Sequence, residues 1–80
     1  MVTKKMTVPV TARALVQRIN RKLAADDERL CATRGERARL IIGDYHVLNV
    51  RRNVVVNTHV DIKELGRELG ALRLWERMEE

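Results

Sequence analysis

The chain has 80 residues, of which 45% are apolar and 34% are charged, and this composition excludes the disordered and collagen-like classes. A chain of this length forms one domain, whose small core supplies only about 3–5 kcal/mol of net stability. The net charge of +5 is concentrated near the amino end, because the first 25 residues contain six bases and no acid.

Three absences in the sequence narrow the cellular setting. No apolar run approaches the roughly 20 residues that cross a bilayer. No charged start followed by an apolar run marks a secretion signal. The single cysteine, Cys31, has no partner for an internal disulfide. We therefore expect a cytoplasmic protein that does not enter membranes.

The amino-terminal third is predicted to be a flexible basic tail over 1–10, with Met1 or Met6 as the natural start, and then an amphipathic helix over 11–25. Thr11 is a suitable N-cap for this helix. Its apolar residues fall within one arc of about 100° and are Ala12, Leu15, Val16, Ile19 and Leu23. The opposite face is basic and carries Arg13, Arg18, Arg21 and Lys22.

The middle of the chain is predicted to form a turn at Asp26-Asp27 and a short strand over 29–33. The stretch 35–42 is compatible with a short helix or with a strand, because Ala38, Ile41 and Ile42 suit a helical turn, while the apolar run Leu40-Ile41-Ile42 also suits a strand. We favour the helix.

A β-hairpin is predicted over 45–60, because two segments rich in β-branched residues flank Arg51-Arg52-Asn53. A three-residue loop with Asn53 in the left-handed conformation would pair position 50 with position 54, whereas a two-residue turn at Arg52-Asn53 would change the register. In the first register the predicted core face carries His46, Leu48, Val50, Val54, Val56 and Thr58, and the other face carries Tyr45, Val47, Asn49, Val55, Asn57 and His59.

The last predicted helix begins at Asp61, which forms a capping-box-like pair with Glu64. Gly70 is placed where a left-handed residue ends a helix, with Leu72 as the accompanying apolar contact. The predicted fold is therefore α+β, in the order helix, strand, short helix, β-hairpin and helix, with about three antiparallel strands and helices on one face. The single domain spans 11–75, and 76–80 is a carboxyl-terminal tail.

Two stretches, 11–23 (TARALVQRINRKL) and 59–72 (HVDIKELGRELGAL), resemble segments of a group of short, uncharacterised bacterial proteins. The resemblance covers the chain from Thr7 onward and implies no activity and no site residues.

The order of elements is also similar to that of double-stranded-RNA-binding domains. The Gly-Pro strand loop of that family is missing here, and its basic helix start is replaced by Asp61 and Glu64. Ribbon-helix-helix repressors share a strand followed by a helix, but 72–78 is short for their second helix. Likeness in element order does not assign a function.

Few side chains in the sequence suit catalysis or metal binding. Cys31, His46 and His59 lack the spacing of metal ligands, and Cys31 with a histidine, or Asp44 with His46, are isolated pairs. No phosphate-binding glycine loop or nucleophile elbow is present. We therefore predict a non-enzymatic protein with no catalytic residues, metal, cofactor or small-molecule substrate.

Two surfaces are candidates for partners. The basic helix face, with Arg13, Arg18, Arg21 and Lys22, suits a phosphate backbone, although a solvated face has the same composition. The second hairpin face, together with the carboxyl-terminal tryptophan, suits a homodimer contact formed by Tyr45, Val47, Val55, Asn57, His59 and Trp75. The leading prediction is an interaction module that self-associates through its sheet, and the alternative is a nucleic-acid-binding regulatory protein.

Overall fold

The computed structural model describes residues 8–79 and confirms an α+β fold. Its elements, in chain order, are β1 (Val8–Thr11), α1 (Ala12–Leu23), β2 (Glu28–Ala32), α2 (Glu36–Ile42), β3 (Tyr45–Asn49), β4 (Val54–Asn57), α3 (Ile62–Glu68) and β5 (Glu76–Glu79). Within the described part of the chain, no helix has the length and apolarity needed to cross a bilayer.

The strands of the described residues form two sheets. The antiparallel sheet β2-β3-β4 is the predicted three-stranded sheet, and β1 pairs with β5 in a separate parallel pair that the sequence did not predict. Val8 to Val10 and Glu76–Glu79 were therefore assigned wrongly to terminal tails, while residues 1–7 and 80 lie outside the described residues. Four-residue strands carry too little pattern to be recognised singly, because each is stable only beside its partner.

Helix α1 follows the predicted pattern. The Thr11 hydroxyl accepts a hydrogen bond from the Ala14 N–H at 3.1 Å, which confirms the N-cap. Leu15 and Ile19 are fully buried and pack in one core with Leu23, Leu30, Val47, Ile62 and Leu72. The helix passes into a 3-10 turn over Ala24–Asp26, and Asp27 ends this turn in the left-handed conformation, as the predicted turn requires.

The stretch 35–42 forms the favoured short helix, α2, between Gly35 and Gly43. Both glycines have positive φ, and a Cβ at Gly43 would lie only 2.7 Å from the Cα of His59. The loop after β4 therefore passes very close to the end of α2.

The hairpin is confirmed, but its register differs from the one predicted. Asn49 pairs with Val54, so the loop has four residues, and a bulge between Val47 and Leu48 shifts the pairing further along. The register differs because Asn49 stabilises the longer loop. Its side-chain Oδ1 accepts from the Arg52 N–H at 2.9 Å, and its backbone carbonyl accepts from the Asn53 N–H at 2.8 Å. Asn53 is left-handed, as predicted.

The predicted core face of the hairpin is wrong. Val47 pairs with Leu30, and both are buried in the core beneath α1. Leu48 pairs with Val55 on the opposite side of the sheet. Packing of β2 and β3 against α1 decides which face is buried, and the valines of β4 lie at the outer edge of the sheet.

Helix α3 has the predicted ends. The Asp61 carboxylate accepts from the N–H groups of Lys63 and Glu64, and Gly70 is left-handed after the helix. Gly66, in the middle of α3, faces α1 so closely that a Cβ there would lie 2.9 Å from Leu15 Cδ1. This close approach fixes the position of α3 and of the segment that follows it.

Candidate functional site

The outer face of α1 borders a cleft of about 480 Å³. We call this the basic cleft and define it by its four bases Arg18, Arg21, Lys22 and Arg73, together with Gly70, Ala71 and Glu76. Three of the four predicted nucleic-acid-binding residues therefore lie together. The fourth, Arg13, does not line the cleft, because it is turned about 140° from Arg18 around the helix axis.

The far wall of the cleft is the segment that follows α3. Gly70 turns the chain, and the N–H groups of Ala71 and Leu72 both donate to the Gly66 carbonyl, at 2.7 and 2.9 Å. Ala71 and Leu72 are buried in the core. These contacts direct the following residues back along α1.

Arg18 connects the two walls. Its Nη1 donates to Glu76 Oε1 at 2.8 Å and to the Ala71 carbonyl at 3.2 Å. Arg67 supports the same segment from α3, because its guanidinium donates to the carbonyls of Arg73 and Glu76, each at 3.4 Å. The cleft is therefore a fixed shape in which Arg18 has a structural role.

Glu76 is the acid that accompanies these bases. Its Oε1 accepts from the Arg73 N–H at 3.0 Å, and this bond together with the Arg18 side chain lowers the pKa of the Glu76 carboxyl below its ordinary value. The carboxylate therefore stays ionised at neutral pH and keeps the Arg18 guanidinium in position.

Arg21 and Lys22 are exposed in the last turn of α1, and neither side chain has a hydrogen bond or ion pair with another of the residues 8–79. Basic side chains in the last turn also interact favourably with the helix dipole, so their presence alone does not indicate a ligand. The dipole does not account for Arg73, which comes from a different segment and lines the same cleft. Four bases around one engaged carboxylate suit an anionic ligand such as a phosphate group.

The predicted dimer residues do not form one surface. Val47 is 4% exposed, so it is not available to a partner in the folded chain, and Tyr45 is half-buried and packs against the core. Val55 lies on the other side of the sheet from Val47, whereas Asn57 pairs with Val47 across the bulge.

The last two predicted dimer residues have other surroundings. His59 is left-handed, its N–H donates to the Ile42 carbonyl at 2.7 Å, and its Nε2 lies 3.1 Å from the Ile41 carbonyl, so it holds the end of α2. Trp75 immediately precedes β5, and its carbonyl accepts from the Val8 N–H at 2.8 Å. Its backbone is therefore hydrogen-bonded to the first residue of β1.

The residues considered for metal or thiol chemistry have ordinary partners. His46 Nδ1 lies 2.8 Å from the Thr33 hydroxyl, and Cys31 is a half-buried free thiol on the neighbouring strand. Among residues 8–79, no three histidine, cysteine or acidic side chains are grouped to hold a metal ion.

Two residues of the basic cleft were missed from the sequence, Arg73 and Glu76. The signal for Arg73 was the helix-ending Gly70, because a chain that reverses there must return toward α1. Nothing in the sequence marks Glu76 as buried, since it stands in a run of charged residues.

Comparisons of the chain with protein-family models, with curated proteins and with solved structures give no match.

Proposed function

We propose that this domain binds nucleic acid by holding backbone phosphates in the basic cleft. The observation that supports this most strongly is that Arg73 joins Arg18, Arg21 and Lys22 around one cleft, although it lies about 50 residues later in the chain. Bases from separate elements that line one concave surface match the spaced charges of a phosphate backbone.

The roles of the four bases differ. Arg18 is engaged with Glu76 and shapes the cleft, while the exposed Arg21, Lys22 and Arg73 are positioned to contact phosphates. Reversing the charge of Arg18 would set a carboxylate against the buried Glu76 carboxylate and disturb the fold. A binding test must therefore change the exposed bases.

The double variant Arg21→Glu/Lys22→Glu is expected to bind a fluorescein-labelled mixed-sequence DNA oligonucleotide at least about tenfold more weakly at low salt. Fewer counterions are released when two phosphate contacts are lost, so the magnitude of the slope of log K against log salt should decrease by about 1.5. Fluorescence anisotropy over a salt series measures both quantities.

The matched control is Arg34→Glu/Arg37→Glu, which makes the same change in net charge at exposed positions that do not line the cleft. It should retain most of the affinity, and circular dichroism should show both variants folded. The proposal fails if the unmodified protein does not bind at low ionic strength, or if the control weakens binding as much as the cleft variant.

A second candidate function is self-association through the edge of the sheet, and we propose it for β4. The other edge strand, β2, is covered by Asn20, whose side chain accepts from the Leu30 N–H at 2.6 Å and donates to the Leu30 carbonyl at 3.3 Å. Among residues 8–79, strand β4 pairs only with β3. Its three valines are 44–49% exposed, and no proline or charged residue lies among them. Natural edge strands usually carry a proline or a charged residue, which prevents pairing with another strand.

If two copies pair along β4, Val55→Lys is expected to lower the mass measured by light scattering to that of a monomer, because a lysine on an edge strand opposes pairing. Val50→Lys is the matched control, since Val50 is 49% exposed, against 44% for Val55, but lies in the hairpin loop. A monomeric unmodified protein at high concentration would rule out this candidate.

A further inference from the structure

Trp75 is the only tryptophan of the chain, and it is 54% exposed. It lies two residues after Arg73 of the basic cleft, and the guanidinium carbon of Arg73 is 5.4 Å from the centre of the indole ring. An exposed indole offers a large aromatic face together with an N–H donor, and this combination is enriched at contacts with other molecules.

The backbone around Trp75 is held in place on both sides. The Glu76 N–H donates to the Arg73 carbonyl at 2.9 Å, which closes a tight turn, and the Val8 N–H donates to the Trp75 carbonyl at 2.8 Å. The Glu76 carboxylate, at the start of β5, accepts from the Arg73 N–H, and the Arg67 guanidinium, from α3, donates to the carbonyls of Arg73 and Glu76. The indole is therefore attached to a fixed turn, so the backbone loses little conformational entropy when a ligand binds.

We propose that Trp75, with Arg73 beside it, stacks an unpaired base whose neighbouring phosphates lie in the basic cleft. The ligand class is therefore single-stranded nucleic acid, and this inference rests on the proposed function. Aromatic rings and guanidinium planes are the usual stacking partners of exposed bases, whereas the faces of bases in a duplex are already stacked on one another. Arg73 links the two parts because it both lines the cleft and contacts the indole.

The same turn contains a second exposed apolar side chain with which Trp75 can be compared. Leu74, between Arg73 and Trp75, is more exposed than the tryptophan but has no aromatic ring. If Trp75 acts only through apolar contact, the two side chains should contribute in a similar way. If it acts by stacking, the contribution should belong to Trp75 alone.

The test titrates the protein with a single-stranded DNA oligonucleotide and with a hairpin duplex, and follows both Trp75 emission and the anisotropy of a label on the DNA. Single-stranded DNA should quench the emission and bind more tightly than the duplex. Trp75→Ala should weaken single-strand binding by about 5- to 100-fold and leave duplex binding unchanged, because stacking of one base has that effect. Trp75→Phe should restore part of the loss, and Leu74→Ala should have little effect.

The outcomes separate this inference from the proposed function. Unchanged Trp75 emission at saturation, or equal losses for both DNA forms in Trp75→Ala, would overturn the stacking role. The proposed function would still stand if Arg21→Glu/Lys22→Glu removes binding in the same assay. If the unmodified protein binds neither form, both proposals fail together.

Discussion

Replacing Leu15 by alanine is expected to lower the free energy of unfolding by about 2–5 kcal/mol. Leu15 is 0% exposed at the centre of the core, and its Cδ1 atom fills the space over Gly66 where α1 and α3 approach each other. Since the net stability of so small a domain is only about 3–5 kcal/mol, much of the variant should be unfolded at room temperature. Denaturant titration followed by circular dichroism measures the change.

Leu40→Ala is the matched control, because it removes the same atoms from a side chain that is 83% exposed. Its effect should stay within about 0.5 kcal/mol, as for most exposed positions. Equal losses in the two variants would contradict the position of α1 over the core. Any folded fraction of Leu15→Ala should also bind DNA more weakly, since the basic cleft lies between α1 and the segment held by α3.

The parts of the fold that could be predicted from sequence are those specified by neighbouring residues. Thr11 and Asp61 cap their helices, and Gly70 ends α3, because each acts on backbone groups within a few positions. The periodic apolar residues of α1 identified its buried face for the same reason.

The parts that failed depend on contacts between distant segments. The buried face of the hairpin was assigned from its own valines, yet Val47 is buried because β2 aligns it with Leu30 under α1. The register also depended on the Asn49 side chain, which extends the loop to four residues. Strand β1 could not be predicted from its own residues, because its partner, β5, lies at the other end of the chain.

The candidate site was predictable to a similar extent. Helical spacing placed Arg18, Arg21 and Lys22 on one face, and these three line the basic cleft. The sequence did not distinguish Arg18, which is engaged with Glu76, from its exposed neighbours, because that difference arises from a residue 58 positions away. The position of the opposite wall, with Arg73, depends on the chain reversal after α3, and so does the position of Trp75 beside Arg73.

Replacing Gly43, at the end of α2, by alanine is expected to lower the free energy of unfolding by about 3 kcal/mol. Gly43 has φ +85° and ψ 179°, a region that is almost restricted to glycine and costs other residues about 1–3 kcal/mol. The added Cβ would also lie 2.7 Å from His59 Cα and 2.9 Å from His59 Nδ1. Backbone atoms cannot move aside as a flexible side chain does, so the loop carrying His59 must shift away from α2.

Gly35→Ala separates the two causes, because Gly35 has a similar φ of +89° at the other end of α2, but no atom of the described residues beyond its chain neighbours lies within 4 Å of its Cβ position. This variant should lose only the backbone contribution, which lies within about 1–3 kcal/mol and below the loss in Gly43→Ala. The difference between the two variants in denaturant titrations therefore measures the close approach of the His59 loop. Amide exchange in α2 should accelerate in Gly43→Ala, since displacement of His59 removes its bonds to the carbonyls of Ile41 and Ile42. Equal losses at the two glycines would show that the loop does not pass against the end of α2.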